Sequence, residues 1–349
     1  MKNLKEICLL AVILLVGNCL PVFAGTNPAA FLDLGEGARA LGMGGAFVSV
    51  ADDYTAAYWN PAGLGLLEKI SVGTMVQSLA GSEWDGMKEI TPKHQFFSFV
   101  LPANRLSFIG GMLSGAAGFS WIRTQLNDIP HTLDTGVSAG SFTDREDGYI
   151  FSYGREIFER ELFLGGNFKF IQQGFSGISG GNASGWGLDG GLLYRLTDNL
   201  RLGLVVQKGI EMKWENGHRD IGGLREKLGL NYQYLGRDKI KGIVAFDVEQ
   251  TKKEPLLGRM GTELKFFPEL WSGGMNSKFK INNIGLRAGL DGYTLEDRYG
   301  TKSKMNSDLN WTFGFGVDSD LFSQNLALDY SFGSHRLGDQ HRISLGLNF

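Results

Sequence analysis

The chain has 349 residues, of which 34 are basic and 37 acidic, giving a formal net charge of −3; 51 are glycine, eight proline, two cysteine and 12% aromatic. That balance lacks the basic excess of a nucleic-acid binder. Both cysteines, Cys8 and Cys19, fall within the first 24 residues, so the rest of the chain holds no disulfide framework and no cysteine nucleophile or metal site.

Residues 1–24 read as a signal peptide. Lys2 and Lys5 supply a positive start, Ile7 to Leu20 an apolar run, and Val22-Phe23-Ala24 a small-x-Ala cleavage pattern. The run falls short of the about 20 apolar residues that a spanning helix needs. Cys19 offers a lipoprotein alternative, but Asn18 is a poor residue for that cleavage, and ordinary cleavage after Ala24 is expected. Removing Lys2, Lys5 and Glu6 leaves 32 basic and 36 acidic residues.

Residues 25–68 are a small-residue segment ahead of any strand pattern, with ARALGMGGAFVSVADDYTAAYWNPAGL at 38–64. Gly42, Gly44 and Gly45, either side of Met43, permit close backbone approach. Asp52 or Asp53 is positioned to cap a helical turn at 54–58. Pro61, in the turn Asn60-Pro61-Ala62, would end it, because the residue before a proline avoids helical geometry. The acid pair could hold an ion or substrate, or could steady the segment by pairing with Arg39 or Arg342; the structural role is favoured, and Trp59 is read as packing. Gly35-Glu36-Gly37-Ala38-Arg39-Ala40 loosely matches a dinucleotide fingerprint but lacks its strand and helix context.

From residue 69 the sequence alternates with period two, the strand signal. Leu309, Trp311, Phe313, Phe315 and Val317 share one face, opposite Asn310, Thr312, Gly314 and Gly316. The pattern predicts fourteen strands: 69–80, 93–101, 105–124, 147–155, 160–173, 184–196, 199–210, 224–235, 239–250, 257–267, 280–291, 308–318, 325–333 and 340–349. A soluble sandwich also alternates. Three features favour a transmembrane antiparallel β-barrel: strands of spanning length, aromatics near strand ends, and an opposite face of Gly, Asn, Gln, Lys and Asp suited to a wet lumen. Long segments (81–92, 125–146, 174–183, 211–223, 292–307) mostly alternate with short turns, as in outer-membrane barrels. Residues 268–279 are long where a short turn is expected.

A barrel of this size is wider than its own side chains fill, so residues 25–68 are read as a hatch folded into the lumen. Trp121, Trp186 and Trp311 are read as lipid-facing anchors. Lys169, Asp189, Arg195, Asp247, Arg287 and Asp329 are read as a solvated or mutually paired interior. Gly177-Ile178-Ser179-Gly180-Gly181 matches a nucleophile-elbow pattern in the wrong context and is set aside. The five histidines, His94, His131, His218, His335 and His341, are scattered, and neither a catalytic centre, a metal nor a cofactor is expected.

The run Gly37-Ala38-Arg39-Ala40, Gly42-Met43-Gly44-Gly45-Ala46-Phe47, Ala51-Asp52-Asp53 and Tyr58-Trp59-Asn60-Pro61-Ala62-Gly63-Leu64 resembles the signature of the PorV/PorQ family of outer-membrane proteins. So does the tail, with Leu328-Asp329-Tyr330, Leu337-Gly338-Asp339 and His341-Arg342-Ile343-Ser344-Leu345. That family is similar to the FadL-type long-chain fatty-acid transporters, whose N-terminal hatch carries a comparable Asn-Pro-Ala turn. The resemblance implies a fourteen-stranded barrel in the bacterial outer membrane, a plug near the N-terminus, membrane lipids as surroundings, and a terminal Phe349 read by the barrel assembly machinery. The function expected is passage of hydrophobic small molecules through a plugged lumen, with docking of exported client proteins in type IX secretion as the alternative. An outer-membrane enzyme is disfavoured, because no Ser/His/Asp constellation stands at credible positions.

Overall fold

The computed structural model describes residues 28–79, 92–103, 114–133, 135–158, 161–176, 181–235, 240–251, 256–267, 279–294, 309–321, 324–334 and 339–349. The expected signal peptide, residues 81–91 and 268–278 of two expected loops, most of 292–307, residues 105–113 of the expected third strand, residues 335–338 and Gly177 to Gly180 lie outside them.

The strands run β1 (Ser71–Leu79), β2 (Lys93–Pro102), β3 (Ala116–Thr132), β4 (Ser138–Phe158), β5 (Leu162–Ser176), β6 (Ala183–Arg195), β7 (Leu200–Gln207) and β8 (Glu211–Trp214). There follow β9 (Arg219–Ile221), β10 (Arg225–Leu235), β11 (Ile240–Thr251), β12 (Leu257–Phe266), β13 (Phe279–Thr294), β14 (Asn310–Leu321), β15 (Gln324–Gly333) and β16 (Gln340–Asn348). Among the described residues fourteen of these close one antiparallel barrel: β1 to β7 in order, then β10 to β16, with β7 paired to β10. Closure is made by β1 and β16, in register from Ser71 opposite Asn348 to Leu79 opposite Gln340. The Phe349 amide extends that seam by donating to the Ile70 carbonyl at 2.9 Å. Among the described residues closure leaves the ring itself without a free edge strand, which a lipid environment requires.

The fourteen predicted strands correspond to the fourteen barrel strands. Two predicted loops are corrected. Most of residues 125–146 is not loop: β3 and β4 go on pairing, Gln125 with Arg145 and Ile129 with Phe142. Register shifts fall between Leu126 and Ile129 and between Pro130 and Thr132; a proline, which lacks a ladder donor, is tolerated at such an irregularity. Residues 211–223 hold the β8–β9 hairpin, which hangs on the loop end of β6 through Ala183–Trp214 and Trp186–Glu211.

The pleat sends alternate residues to opposite faces, and directly paired residues share a face. Phe99, Phe119, Phe151, Phe168 and Leu188 form one row across β2–β6. Phe97, Trp121, Tyr149, Phe170 and Trp186 form the next row towards the long-loop end. Phe151, Phe168, Trp186 and Leu188 are exposed, as are Leu230, Phe246, Leu264, Leu286, Phe313 and Trp311 further around. An apolar belt of this kind on the outside of a closed barrel is the signature of a wall set in a bilayer.

Candidate functional site

Residues 28–70 precede β1 and fold as short pieces: 3-10 turns at Ala30–Asp33 and Pro61–Leu66, with helices α1 (Ala38–Gly42) and α2 (Ala56–Trp59) between them. None is long enough to be stable alone, so contact with the barrel must hold them. That contact is made on every side. Asn60 Nδ2 donates to the carbonyls of Val48 (2.9 Å) and Leu192 on β6 (3.0 Å), and Asn167 on β5 donates to the Ala57 carbonyl (2.7 Å). Asn231 on β10 donates to the Ser49 carbonyl (2.6 Å), and the Val48 amide donates to Asp247 on β11 (2.9 Å). The Ala38 amide donates to Ser344 on β16 (2.7 Å), and Ser98 on β2 donates to the Tyr54 carbonyl (2.8 Å). The segment is thus hydrogen-bonded to β2, β5, β6, β10, β11 and β16 of the ring.

Each residue singled out from the sequence has a definite place. Arg39 gathers three carboxylates: Nη1 donates to Asp52 (2.6 Å) and Asp53 (2.9 Å), while Nε and Nη2 donate in parallel to both oxygens of Glu263 on β12 (2.9 and 2.8 Å). Of the two partners considered for the acid pair, Arg39 is the one used. Burial pushes the Asp52 carboxyl up, but the charge and hydrogen bond of Arg39 outweigh it and hold the group below its ordinary value. Asp53 accepts from the Thr55 amide and hydroxyl just ahead of α2, which has no side-chain cap of its own. Asn60 closes α2 and opens the next turn by accepting from the Ala62 amide (3.1 Å), with Pro61 at its first position. Pro61 thus begins a 3-10 turn directly after α2 ends. Trp59 is buried, donates to the Glu36 carbonyl (2.8 Å) and stacks edge-on with Phe47 and Tyr58.

The turn around Met43 lies against the wall. Gly44 and Gly45 adopt φ of +66° and +71°, in the left-handed region. A Cβ on Gly44 would stand 2.7 Å from the Leu290 backbone, and one on Gly289 across the contact 2.2 Å from the Gly44 nitrogen. The close approach therefore uses glycines on both partners; those on the wall were not read from the sequence.

The inner face departs from the uniformly polar lumen expected. One side carries charges in pairs: Arg287 with Glu263 and with Asp329 (2.7 Å each), Arg259 with Glu249 (2.6 Å). Lys169 with Asp189 (2.7 Å) is a further pair on β5 and β6. On the other side Met75, Phe96, Ile122, Ile150, Ile171 and Met212 point inward from β1 to β5 and β8, all fully buried. Phe31 and Leu32 cover this apolar stripe, lying against Gly148 beside Ile171. They are tied there by Asp33, paired with Arg225 on β10, and by the Tyr58 hydroxyl donating to the Leu32 carbonyl.

A second tie had no sequence signal. His94 on β2 and Glu36 are both fully buried and meet at 2.9 Å, with the other ring nitrogen of His94 2.7 Å from Thr124 on β3. Burial pushes the Glu36 carboxyl up, against the pull of His94 and Arg342.

Neither a protein-family model nor a curated protein sequence matches the chain. Among solved structures it is similar to the Pseudomonas putida toluene transporter TodX, at 13% identity over 90% of this chain and 96% of that one, with a TM-score of 0.50. It is similar to the Ralstonia pickettii toluene transporter TbuX, at 13% identity over 90% and 97%, with a TM-score of 0.51. A Pseudomonas aeruginosa FadL homologue matches at 11% identity over 94% and 98%, with a TM-score of 0.50. The chain is a closed fourteen-stranded outer-membrane β-barrel of FadL-like fold.

Proposed function

We propose that this protein is a channel for hydrophobic small molecules, with residues 25–68 acting as a hatch in its lumen once residues 1–24 are removed. The observation that carries the reading is the buried apolar stripe from Met75 to Met212, covered by Phe31 and Leu32. A wall that served only water and ions has no use for a continuous apolar strip, whereas an apolar solute moving along it keeps its surface out of water. The charged side of the lumen anchors the hatch through Arg39, Asp52, Asp53 and Glu263. The fold is shared with two structures named as toluene transporters and with a FadL homologue. The finer assignment to the PorV/PorQ family rests on the motifs at the two ends of the sequence.

The test compares wild type, a variant lacking residues 26–66, and Phe31→Ala/Leu32→Ala in planar bilayers and in detergent extracts. Deletion should give a large steady conductance, and the double variant should raise the uptake rate of a small aromatic hydrocarbon without a matching rise in ion conductance. Wild type should copurify apolar ligand. If wild type carries no apolar ligand but captures an exported protein, client docking replaces transport.

A further inference from the structure

Outside the barrel, at the long-loop end of β3 to β6, lies a groove of about 1050 Å³. Register fixes which face it is on. Arg123 pairs with Asp147, Asp147 with Gln172, Gln172 with Ser184 and Ser184 with Lys213. This row lies two residues along each strand from Trp121, Tyr149, Phe170 and Trp186, so it continues their outward face beyond the aromatic belt. The next row adds Gln125 and Arg145. Most of the lining lies on this outward face; Gln173, Ala183 and Trp214, on the opposite face, complete it at the rim.

The site is built. Asp147 points outward, yet its side chain is only 2% exposed, because three donors close over it. The Trp121 indole donates at 2.9 Å, Arg123 donates through Nε and Nη2 at 2.7 and 3.1 Å, and Arg145 Nε stands 3.1 Å away. Arg123 also lies over the Trp121 ring, 4.8 Å from its centroid, and Lys208 lies 4.9 Å over that of Trp186. The carboxylate thus locks an indole and two guanidinium groups at the border between the apolar belt and water. In front of them Gln172, Ser184, Arg145 and Lys213 are exposed. The lining cations Arg145 and Lys213 are balanced by Asp147 and by Glu215, which accepts from Asn182 at 2.9 Å.

A near-neutral groove of fixed amides, hydroxyls and paired charges next to aromatic rings suits a ligand with many hydroxyl groups better than a bare anion. The aromatic rows directly beneath it suit acyl chains. We propose that this groove binds the saccharide headgroup of a glycolipid in the outer leaflet, with the acyl chains lying over Trp121, Tyr149, Phe170 and Trp186.

The experiment uses the full-length barrel in detergent, with binding followed by native mass spectrometry and titration. The probes are purified lipid A, its deacylated disaccharide and phosphatidylglycerol. The variants are Arg145→Ala/Gln172→Ala and, as a milder pair, Gln172→Ala/Ser184→Ala, each checked for heat-modifiable migration as a folded barrel. Losing two or three hydrogen bonds predicts about tenfold weaker binding of lipid A to either variant, with phosphatidylglycerol weak throughout. Equal binding of lipid A by wild type and both folded variants, or equal binding of phosphatidylglycerol, overturns the proposal. Equal affinity for the deacylated disaccharide assigns a free saccharide instead and overturns the lipid assignment. Because no hatch or lumen residue is altered, failure here leaves the channel reading untouched, and failure of the channel reading leaves this one standing.

Discussion

Arg39 shows how much of the interior hangs on single side chains. Its guanidinium is 12% exposed and satisfies Glu263, which is 1% exposed, as well as Asp52 and Asp53. Removing one partner of a buried ion pair typically costs about 3–5 kcal/mol, because the remaining charge stays buried. Arg39→Ala should therefore release residues 38–53 while the barrel, closed by its own ladders, stays folded. Hydrogen exchange of those amides should speed up with the strand amides unchanged; protection equal to wild type would count against the latch. Glu36 gives a pH prediction. Its carboxyl is raised above the ordinary value of 4.5 by burial, and one of its oxygens has no hydrogen-bond partner among the described residues. A group raised in the folded state contributes its stability fully below the unfolded pKa, and that contribution fades as pH rises through the folded pKa. Glu36→Gln keeps an acceptor for His94 without the charge. The stability gap between the variant and wild type should then grow in the variant's favour as pH rises above about 4.5, read from urea midpoints. A gap independent of pH would refute this account of Glu36.

At the scale of elements, the N-terminal segment illustrates structure made by its surroundings. Its helices span five and four residues, Ala38–Gly42 and Ala56–Trp59, too short to persist alone. The turn joining α1 to the wall depends on Gly44, where φ is +66° and a Cβ would meet the Leu290 backbone. Gly44→Ala should destabilise the seating of this turn by about 1–3 kcal/mol through backbone strain alone, with more from the clash. Limited proteolysis within residues 38–53 measures it, and wild-type resistance would show that the turn does not need glycine. The β3–β4 hairpin teaches the converse. Its outer half is polar enough to read as loop, but pairing continues across two irregularities because each strand already has its partner in register.

For the whole molecule, the outward rows predict where charge cannot go. Phe168 is exposed on the outside and flanked in its row by Phe151 and Leu188. Phe168→Arg should cost about 2–4 kcal/mol if that row lies near the bilayer midplane, and less towards an interface. Urea titration of folding into liposomes measures it, with Phe168→Leu as the control. A charge tolerated there at no cost would mean that this face does not meet lipid.

The strand count, the alternation and the two-faced wall were legible in the sequence, because a period of two is a local property of the chain. Short-range chemistry at the acid pair and the Asn60-Pro61-Ala62 turn was legible for the same reason. The pairing of Glu36 with His94 was not, nor that of Arg39 with Glu263, since these partners lie 58 and 224 residues apart. The same holds for the wall glycines that admit Gly44 and for the sorting of the inner face into a charged side and an apolar side. The alternating pattern that each strand carries already implies a closed barrel, because lipid leaves closure as the way to pair every edge. Which inner-face residues the segment 28–70 touches emerges only in the folded chain, because those contacts depend on which strands end up facing each other across the ring.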